Sequence, residues 1–375
     1  CAEHPDISIY CMMVTMGGDV MIAVEDLPEI FNDLSPIPQD DGPTRVCVIQ
    51  YPSSFTLAYN YMRGVWASKE FSERALKLSA TCLKMNPANY TVWHYRRQCL
   101  QFLGHSSDKT SVQNDLNLAS LLGGSNPKNY QIWYHRRALL ETHGPCEFLD
   151  SELEYIAEVL QEDSKNYHAW SYRQWILMSV DEESAWENEM EYVCNLIQED
   201  IRNNSAWNQR WLVSHRGKQQ RQSPPIGLDV ARREADFAIN HGSMLDPYNE
   251  SSWRYLIGIL QEQYQHYKNQ QQQQKKDNDV KKTMLKTMIV EYEAKSNSSE
   301  IRNVLITANR DPDTCVNMTS ARIDLLEMID TKDSLQTAMI LAEGLATKYD
   351  TIRKKYWCLL SKQLQRRYIS MDSKQ

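Results

Sequence analysis

An Asn followed four positions later by a Trp occurs five times in this chain, at intervals of 37 to 46 residues. The pairs are Asn89/Trp93, Asn129/Trp133, Asn166/Trp170, Asn203/Trp207 and Asn249/Trp253. Such a period is typical of repeat proteins, in which each unit buries its apolar face only against its neighbours. The motif therefore predicts a stack of similar units before any other feature is considered.

Each motif Asn is suited to begin a helix, because its side-chain oxygen can accept a backbone N–H that the first turn leaves unpaired. A proline that disfavours helix stands two residues upstream in three repeats, at Pro87, Pro127 and Pro247. After the first Asn, Tyr90, Trp93, Arg97 and Leu100 recur at helical spacing. We expect the tyrosines of this stripe to pack between repeats.

Apolar residues at three- and four-residue spacing predict second helices at 148–160, 185–197 and 230–239. Similar patterns without the motif follow at 280–294, 321–329, 335–345 and 351–367. One hairpin cannot cover both of its apolar faces, so neighbouring hairpins must stack. The sequence predicts an all-α, curved solenoid of stacked helical hairpins.

The predicted organisation is one helical-repeat domain over 36–375, preceded by a flexible N-terminal segment at 1–35. Within it lie five motif repeats at about 87–260 and closing helices at about 280–367. Between them, a run of glutamines marks a low-complexity insert at about 266–279.

Composition narrows the classes of function. The net charge of −8 argues against a general nucleic-acid or membrane-surface binder. No run of 18 apolar residues occurs, so no membrane span is predicted. The nine cysteines include no zinc-type spacing, which is typical of reduced thiols in a cytoplasmic protein.

The residue just before the motif Asn is Lys128, Lys165 or Arg202 in the three middle repeats. Stacking would align these cations along one edge, each beside the positive end of a helix dipole. Such an edge suits a phosphate or diphosphate, and Gln131 and His168 on the same edge could hydrogen-bond a ligand. The alternative is that these are ordinary solvated surface residues.

An arginine follows each of the first four motif Trp residues by three positions, at Arg96, Arg136, Arg173 and Arg210. We expect these to be buried and paired with acidic residues of the second helices. His94 and His135 have no second ligand four residues on, so no metal site is predicted. No phosphate-binding loop, nucleophile elbow or zinc-protease motif occurs, and the chain alone shows no complete catalytic constellation.

The repeats resemble those of protein prenyltransferase α subunits, and most of all the branch shared by farnesyltransferase and type I geranylgeranyltransferase. The resemblance covers about 35–260, including the stretches at 36–43 and 72–78, and it resumes at 350–357. It implies a right-handed, crescent-shaped solenoid in an obligate heterodimer with a β subunit.

In that family the β subunit holds a zinc ion that activates the cysteine thiolate of a CaaX-box protein. The thiolate attacks an isoprenoid diphosphate, farnesyl or geranylgeranyl, and diphosphate leaves. The resemblance thus implies zinc in the partner and none in this chain, and it allows for magnesium in the farnesyl reaction.

The resemblance also implies roles for single residues. Lys128 matches the family's lysine that contacts the leaving diphosphate, and it is the candidate catalytic residue. Gln131 matches the glutamine that hydrogen-bonds the carboxylate at the end of the peptide. Tyr130 lines the cleft between them, and Tyr90 matches a tyrosine near the last residue of the peptide.

Tyr167 and His168 match residues close to the isoprenoid phosphate, and Asn166, which opens the same motif, is counted with them as substrate-binding. Lys165 and Arg202 have the weaker role of shaping the electrostatic field. Two alternatives stay open from the sequence. One is a non-catalytic, tetratricopeptide-like scaffold, and the other is the α subunit of Rab geranylgeranyltransferase.

Overall fold

The computed structural model describes residues 21–44, 47, 49–124, 126–216, 226–271 and 278–372. Over these ranges the chain is helical, and none of the described residues forms a strand. The α-helices are α1 Leu27–Ile30, α2 Ser53–Ala67, α3 Glu73–Met85, α4 Tyr90–Phe102, α5 Lys109–Gly123, α6 Tyr130–His143, α7 Leu149–Glu162, α8 Tyr167–Val180, α9 Glu183–Glu199, α10 Asn204–Ser214, α11 Leu228–Ala238, α12 Glu250–Gln271, α13 Asn278–Ser296, α14 Ser299–Thr307, α15 Val316–Ile329, α16 Lys332–Gly344 and α17 Lys354–Asp372. The all-α prediction is confirmed.

The helices pair as hairpins within two compact units that divide between Val180 and Asp181. In the first unit the hairpins are α3/α4, α5/α6 and α7/α8, and the motif helices α4, α6 and α8 contact one another in that order. The second unit holds the hairpins α9/α10 and α11/α12, and α15, α16 and α17 pack in sequence near its end. Stacked hairpins are therefore confirmed, and the single domain over 36–375 stays a prediction.

The predicted second helices correspond to α7, α9 and α11, with ends that differ by a few residues. The sequence pattern did not predict α1, α2, α3, α5 or α14. In α5 the residues Thr110, Ser111 and Asn114 favour caps and turns over helix interiors, which obscures the period. Its buried residues nevertheless include Val112 and Leu116, one helical turn apart.

The described part of the N-terminal segment is packed. The backbone N–H of Ile22 donates to Oγ1 of Thr81 at 3.0 Å, and the side chains of Leu27 and Phe31 are fully buried. The packed structure thus begins ahead of the boundary at residue 36 that the sequence predicts. Residues 1–20 lie outside the described residues.

The long helix α12 continues to Gln271, because Tyr264 and Tyr267 on it pack against the core of the second unit. The predicted insert at 266–279 therefore begins inside a helix, and residues 272–277 lie outside the described residues. The predicted closing stretches correspond to α13, α15, α16 and α17.

All five motif Asn residues cap their helices as predicted. Each side-chain oxygen accepts one or two backbone N–H groups two or three positions on, at 3.0–3.3 Å. Each motif Trp donates its indole N–H to the backbone carbonyl six residues upstream, at 2.8–3.0 Å. The motif thus closes the turn that precedes its own helix.

The same carbonyl also joins one repeat to the next. The carbonyl oxygen of Pro87 accepts the indole N–H of Trp93 and the side-chain amide of Asn129, both at 2.8 Å. In the same way, the carbonyl oxygen of Pro127 accepts hydrogen bonds from the indole of Trp133 and the side-chain amide of Asn166. The carbonyl oxygen of Ile201 accepts them from Trp207 and Asn249. Both lone pairs of each such oxygen are used, so the first three motifs are fixed in register with one another, and the fourth with the fifth.

Buried ion pairs join one hairpin to the next, from α4 to α5, from α6 to α7 and from α10 to α11. The guanidinium of Arg96 pairs with Asp115, that of Arg136 with Glu152 and that of Arg210 with Glu234, through Nε–oxygen distances of 2.7–2.9 Å. All six side chains are at most 5% exposed. The predicted pairing of these three arginines is confirmed, and Arg173 donates to the carbonyl of Leu153 at 3.1 Å.

The inter-repeat hydrogen bond can be tested at Asn249, which is 4% exposed and reaches Ile201 at 2.6 Å. Asn249→Ser keeps a capping oxygen but loses the amide donor, so we expect the free energy of unfolding to fall by about 1 kcal/mol. Asn249→Ala also loses the cap and should cost about 1 kcal/mol more. Urea unfolding of the purified protein measures both, and a wild-type value for Asn249→Ser would contradict a stabilising role for this bond.

Candidate functional site

The predicted site residues of the first unit lie at the N-terminal ends of α4, α6 and α8, which we call the rim. The rim residues are Tyr90, Lys128, Tyr130, Gln131, Lys165, Tyr167 and His168. The ends of these helices are neighbours, because the amides of Asn129 and Asn166 each reach back to the turn of the preceding repeat. The structure therefore assembles these seven residues along one edge.

The tyrosines of the rim are exposed, so the prediction that they pack between repeats is wrong. Tyr90, Tyr130 and Tyr167 retain 70%, 62% and 75% of their accessible surface. Each is the first residue of its helix, where no preceding turn covers the side chain. The Trp three positions on, such as Trp93, fills the space between helices instead.

The cation at the centre of the rim is held by an acidic residue of the next repeat. Nζ of Lys128 lies 3.2 Å from Oδ2 of Asp163, and the lysine side chain is 71% exposed. The hydrogen bonds from Lys128 and from the backbone N–H of Lys165 lower the pKa of Asp163 below its usual value. Asp163 is therefore ionised and Lys128 is presented to solvent with its charge.

Aromatic rings bridge the ends of α6 and α8. The rings of Tyr130 and His168 meet edge to face with centroids 5.7 Å apart, and Tyr167 meets the same imidazole in the same geometry. Gln131 is half-buried on the first turn of α6, with its backbone N–H on the capping oxygen of Asn129. Polar side chains thus surround the position of Lys128 on the neighbouring turns.

Asn166, in contrast, lies behind the rim and not on it. It is 1% exposed, its oxygen accepts the N–H groups of His168 and Ala169, and its amide donates to Pro127. A side chain so engaged supports the rim but has no free face for a ligand. This corrects its placement among the substrate-binding residues.

Arg202 belongs to the second unit and carries its own partner. Its Nε lies 2.6 Å from Oδ2 of Asp246, and this hydrogen bond raises the pKa of the arginine. The pair has the same register as Lys128 with Asp163, a cation before one motif and an acid before the next. Lys165, the third predicted cation, is exposed at the end of α8.

The acidic partners in these pairs, Asp163 and Asp246, were not among the predicted site residues. The residue three positions before the motif Asn is Asn or Asp in every repeat, and its side-chain oxygen accepts the N–H two positions on at 2.9–3.2 Å. These residues are Asn86, Asn126, Asp163, Asp200 and Asp246. A short turn closed by such a side chain is recognisable from the residue type alone, so the signal was present.

His135 lies deep behind the rim. Its Nε2–H donates to Asp115 at 2.8 Å, Arg97 donates to Nδ1 at 3.4 Å, and the ring packs 4.4 Å from that of Trp93. Burial lowers the pKa of this imidazole and outweighs the charge of Asp115. The described residues contain no group of three or more His, Cys, Asp or Glu arranged to hold a metal ion.

Comparison with known proteins identifies the architecture. The protein prenyltransferase alpha subunit repeat matches residues 72–103, 112–143, 149–180 and 186–216, which follow the hairpins from α3/α4 to α9/α10. The chain is 34% identical over 330 residues to the protein farnesyltransferase/geranylgeranyltransferase type-1 subunit alpha of Dictyostelium discoideum. That alignment covers 87% of this chain and 90% of the relative. The chain belongs to the protein prenyltransferase alpha subunit family.

Other members of the family agree. The subunit of the same name from Pisum sativum is 42% identical over 93 residues, which span 24% of this chain and 28% of the pea protein. A solved structure, Candida albicans protein geranylgeranyltransferase-I complexed with GGPP, shares the fold with a TM-score of 0.65 at 21% identity. It matches over 89% of this chain and 98% of that chain. These relatives support neither the scaffold nor the Rab alternative.

No helix among the described residues of this family member is long and apolar enough to cross a membrane.

On α4, Tyr90 is exposed and Trp93 is buried, and this difference can be tested by mutation. Tyr90→Ala should change the free energy of unfolding by less than about 0.5 kcal/mol, because the side chain is exposed. Trp93→Ala, three residues on and fully buried, should cost about 3–5 kcal/mol. Urea unfolding of both variants measures these changes. Similar losses of unfolding free energy in the two variants would show that the Tyr90 side chain is packed.

Proposed function

We propose that this chain is the α subunit of a heterodimeric CaaX protein prenyltransferase, in which its rim contacts both substrates. Family membership supports the reaction class, and the names of the curated relatives support the farnesyl and type I geranylgeranyl branch. The observation that carries the proposal is the exposed ammonium of Lys128 at the ends of α6 and α8. Such a position suits the diphosphate of an isoprenoid substrate.

Lys128 acts by electrostatic stabilisation. When the thiolate displaces diphosphate from the isoprenoid, negative charge grows on the bridging oxygen of the leaving group. A fixed ammonium beside two helix N-termini stabilises that charge more in the transition state than in the bound substrate. Lys165, which is exposed just before α8, and Arg202 have the weaker role of adding to the positive field.

The neighbouring polar groups orient the substrates. Tyr167 and His168 offer a hydroxyl and an imidazole beside the phosphates, and Tyr130 lines the cleft next to them. The amide of Gln131 donates to the carboxylate at the end of the CaaX peptide, and Tyr90 covers its last side chain. These side chains bind and orient the two substrates and form no covalent bond with them.

In this proposal the reaction requires a β subunit, which would supply the group that activates the thiol. Zinc would be held by that partner and would supply a metal-stabilised thiolate on the CaaX cysteine. Magnesium would neutralise part of the diphosphate charge in the farnesyl reaction. The enzyme would work in the cytoplasm, where its protein substrates are made.

Lys128→Ala in the assembled heterodimer tests the proposal. We expect kcat for prenylation of a CaaX peptide to fall on the order of 10²-fold, because a charge-stabilising donor to the leaving group is lost. Heterodimer formation, measured by size-exclusion chromatography, should be unchanged, since the lysine side chain is 71% exposed.

Lys109→Ala is the matched control. Lys109 is 61% exposed and pairs with Glu147 at 3.0 Å, so it resembles Lys128 in exposure and ion pairing but lies at the start of α5, away from the rim. Its removal should leave kcat within about twofold of wild type. Equal activity of the two variants would reject the role of Lys128.

A further inference from the structure

Asp163 is a carboxylate at the edge of a site that we propose binds an anion. A negative charge there opposes diphosphate binding by direct repulsion, so its presence calls for a physical reason. Its contacts divide into two sets. One oxygen closes the turn before α8, and the other faces Nζ of Lys128 at 3.2 Å.

The turn does not need the charge. Asn86 and Asn126 hold the equivalent position in the two preceding repeats, and each accepts the same backbone N–H with its neutral amide oxygen, at 3.1 Å and 3.2 Å. The corresponding distance at Asp163 is also 3.2 Å. The carboxylate is thus interchangeable with an amide for closing the turn, and its charge serves the second contact.

The carboxylate is itself firmly placed. Besides the turn contact, the backbone carbonyl of Asp163 accepts the N–H of Asn166 and its own N–H donates to Val159, both at 3.0 Å. Lys128 has a long flexible stem and is mostly exposed, so without a partner its ammonium would sample many positions.

We infer that Asp163 is a positioning residue, which holds the ammonium of Lys128 at the rim for the leaving diphosphate. The inference rests on the proposed function, because it assigns Asp163 to the same reaction. The ion pair is exposed and adds little to folding by itself, so its contribution lies in the geometry of the cation. The pairing of Arg202 with Asp246 in the second unit shows that the repeat pattern produces such pairs.

Asp163→Asn isolates this role in the assembled heterodimer, because the amide keeps the turn and removes the charge. We expect kcat for CaaX-peptide prenylation to fall about fivefold as the ammonium becomes disordered. The dissociation constant for farnesyl diphosphate should stay equal or become lower, since a repulsive charge is lost. A structural defect would instead weaken binding and lower the melting temperature together.

Two further variants make the result decisive. In the Lys128→Ala background, Asp163→Asn should leave kcat unchanged, because there is no ammonium to position. Asp200→Asn is the matched control, since Asp200 closes the same turn in the next repeat at 2.9 Å and should tolerate the amide within about twofold.

The outcomes separate the two ideas. If Lys128→Ala lowers kcat and Asp163→Asn does not, the positioning role fails and the proposed function stands. If Asp163→Asn lowers kcat equally with and without Lys128, Asp163 acts on something else and the inference is overturned. If Lys128→Ala has wild-type activity, the proposed role of the rim itself is rejected.

Discussion

A shared backbone carbonyl joins the first motif to the second, the second to the third and the fourth to the fifth. At Pro87, Pro127 and Ile201 that oxygen accepts the indole N–H of its own motif and the side-chain amide of the next motif. Hydrophobic stacking supplies most of the stabilisation but is tolerant of small shifts between helices. Two directed hydrogen bonds to one oxygen do not tolerate such shifts, so they set the register between the hairpins that they join.

The rim is a consequence of that register. Because the amides of Asn129 and Asn166 are tied to the preceding turn, the residues on either side of them fall beside their counterparts in the neighbouring repeat. Lys128 thereby meets Asp163, and Tyr130 meets His168. The buried pairs behind the rim, such as Arg136 on α6 with Glu152 on α7, hold each hairpin in place against the next. The repeated motif therefore both fixes the neighbouring hairpins and places the residues of the candidate site.

Much of the fold could be predicted from the sequence, because its determinants are local. The Asn caps depend on residues two or three positions apart, and the acidic partners of Arg96, Arg136 and Arg210 followed from the cost of burying an unpaired charge. Helix α5 was not predicted, because polar residues interrupt the helical periodicity of its apolar residues.

The features that could not be predicted depend on the ends of helices and on the stack. Tyr90 and Trp93 share one helical face in sequence, yet only the tyrosine lies beyond the cover of the neighbouring repeat. The pairing of Lys128 with Asp163 joins residues 35 positions apart through the register of two hairpins. Neither property is encoded in spacing alone, and both concern the residues proposed to meet the substrates.

The most direct measurement of the central claim is transfer of an isoprenoid to a CaaX peptide by this chain alone and by the chain co-expressed with a prenyltransferase β subunit. We expect the heterodimer to be stable and active, and the isolated chain to be inactive. Activity of the isolated chain, or failure to pair with either a farnesyl-type or a geranylgeranyl-type β subunit, would contradict it.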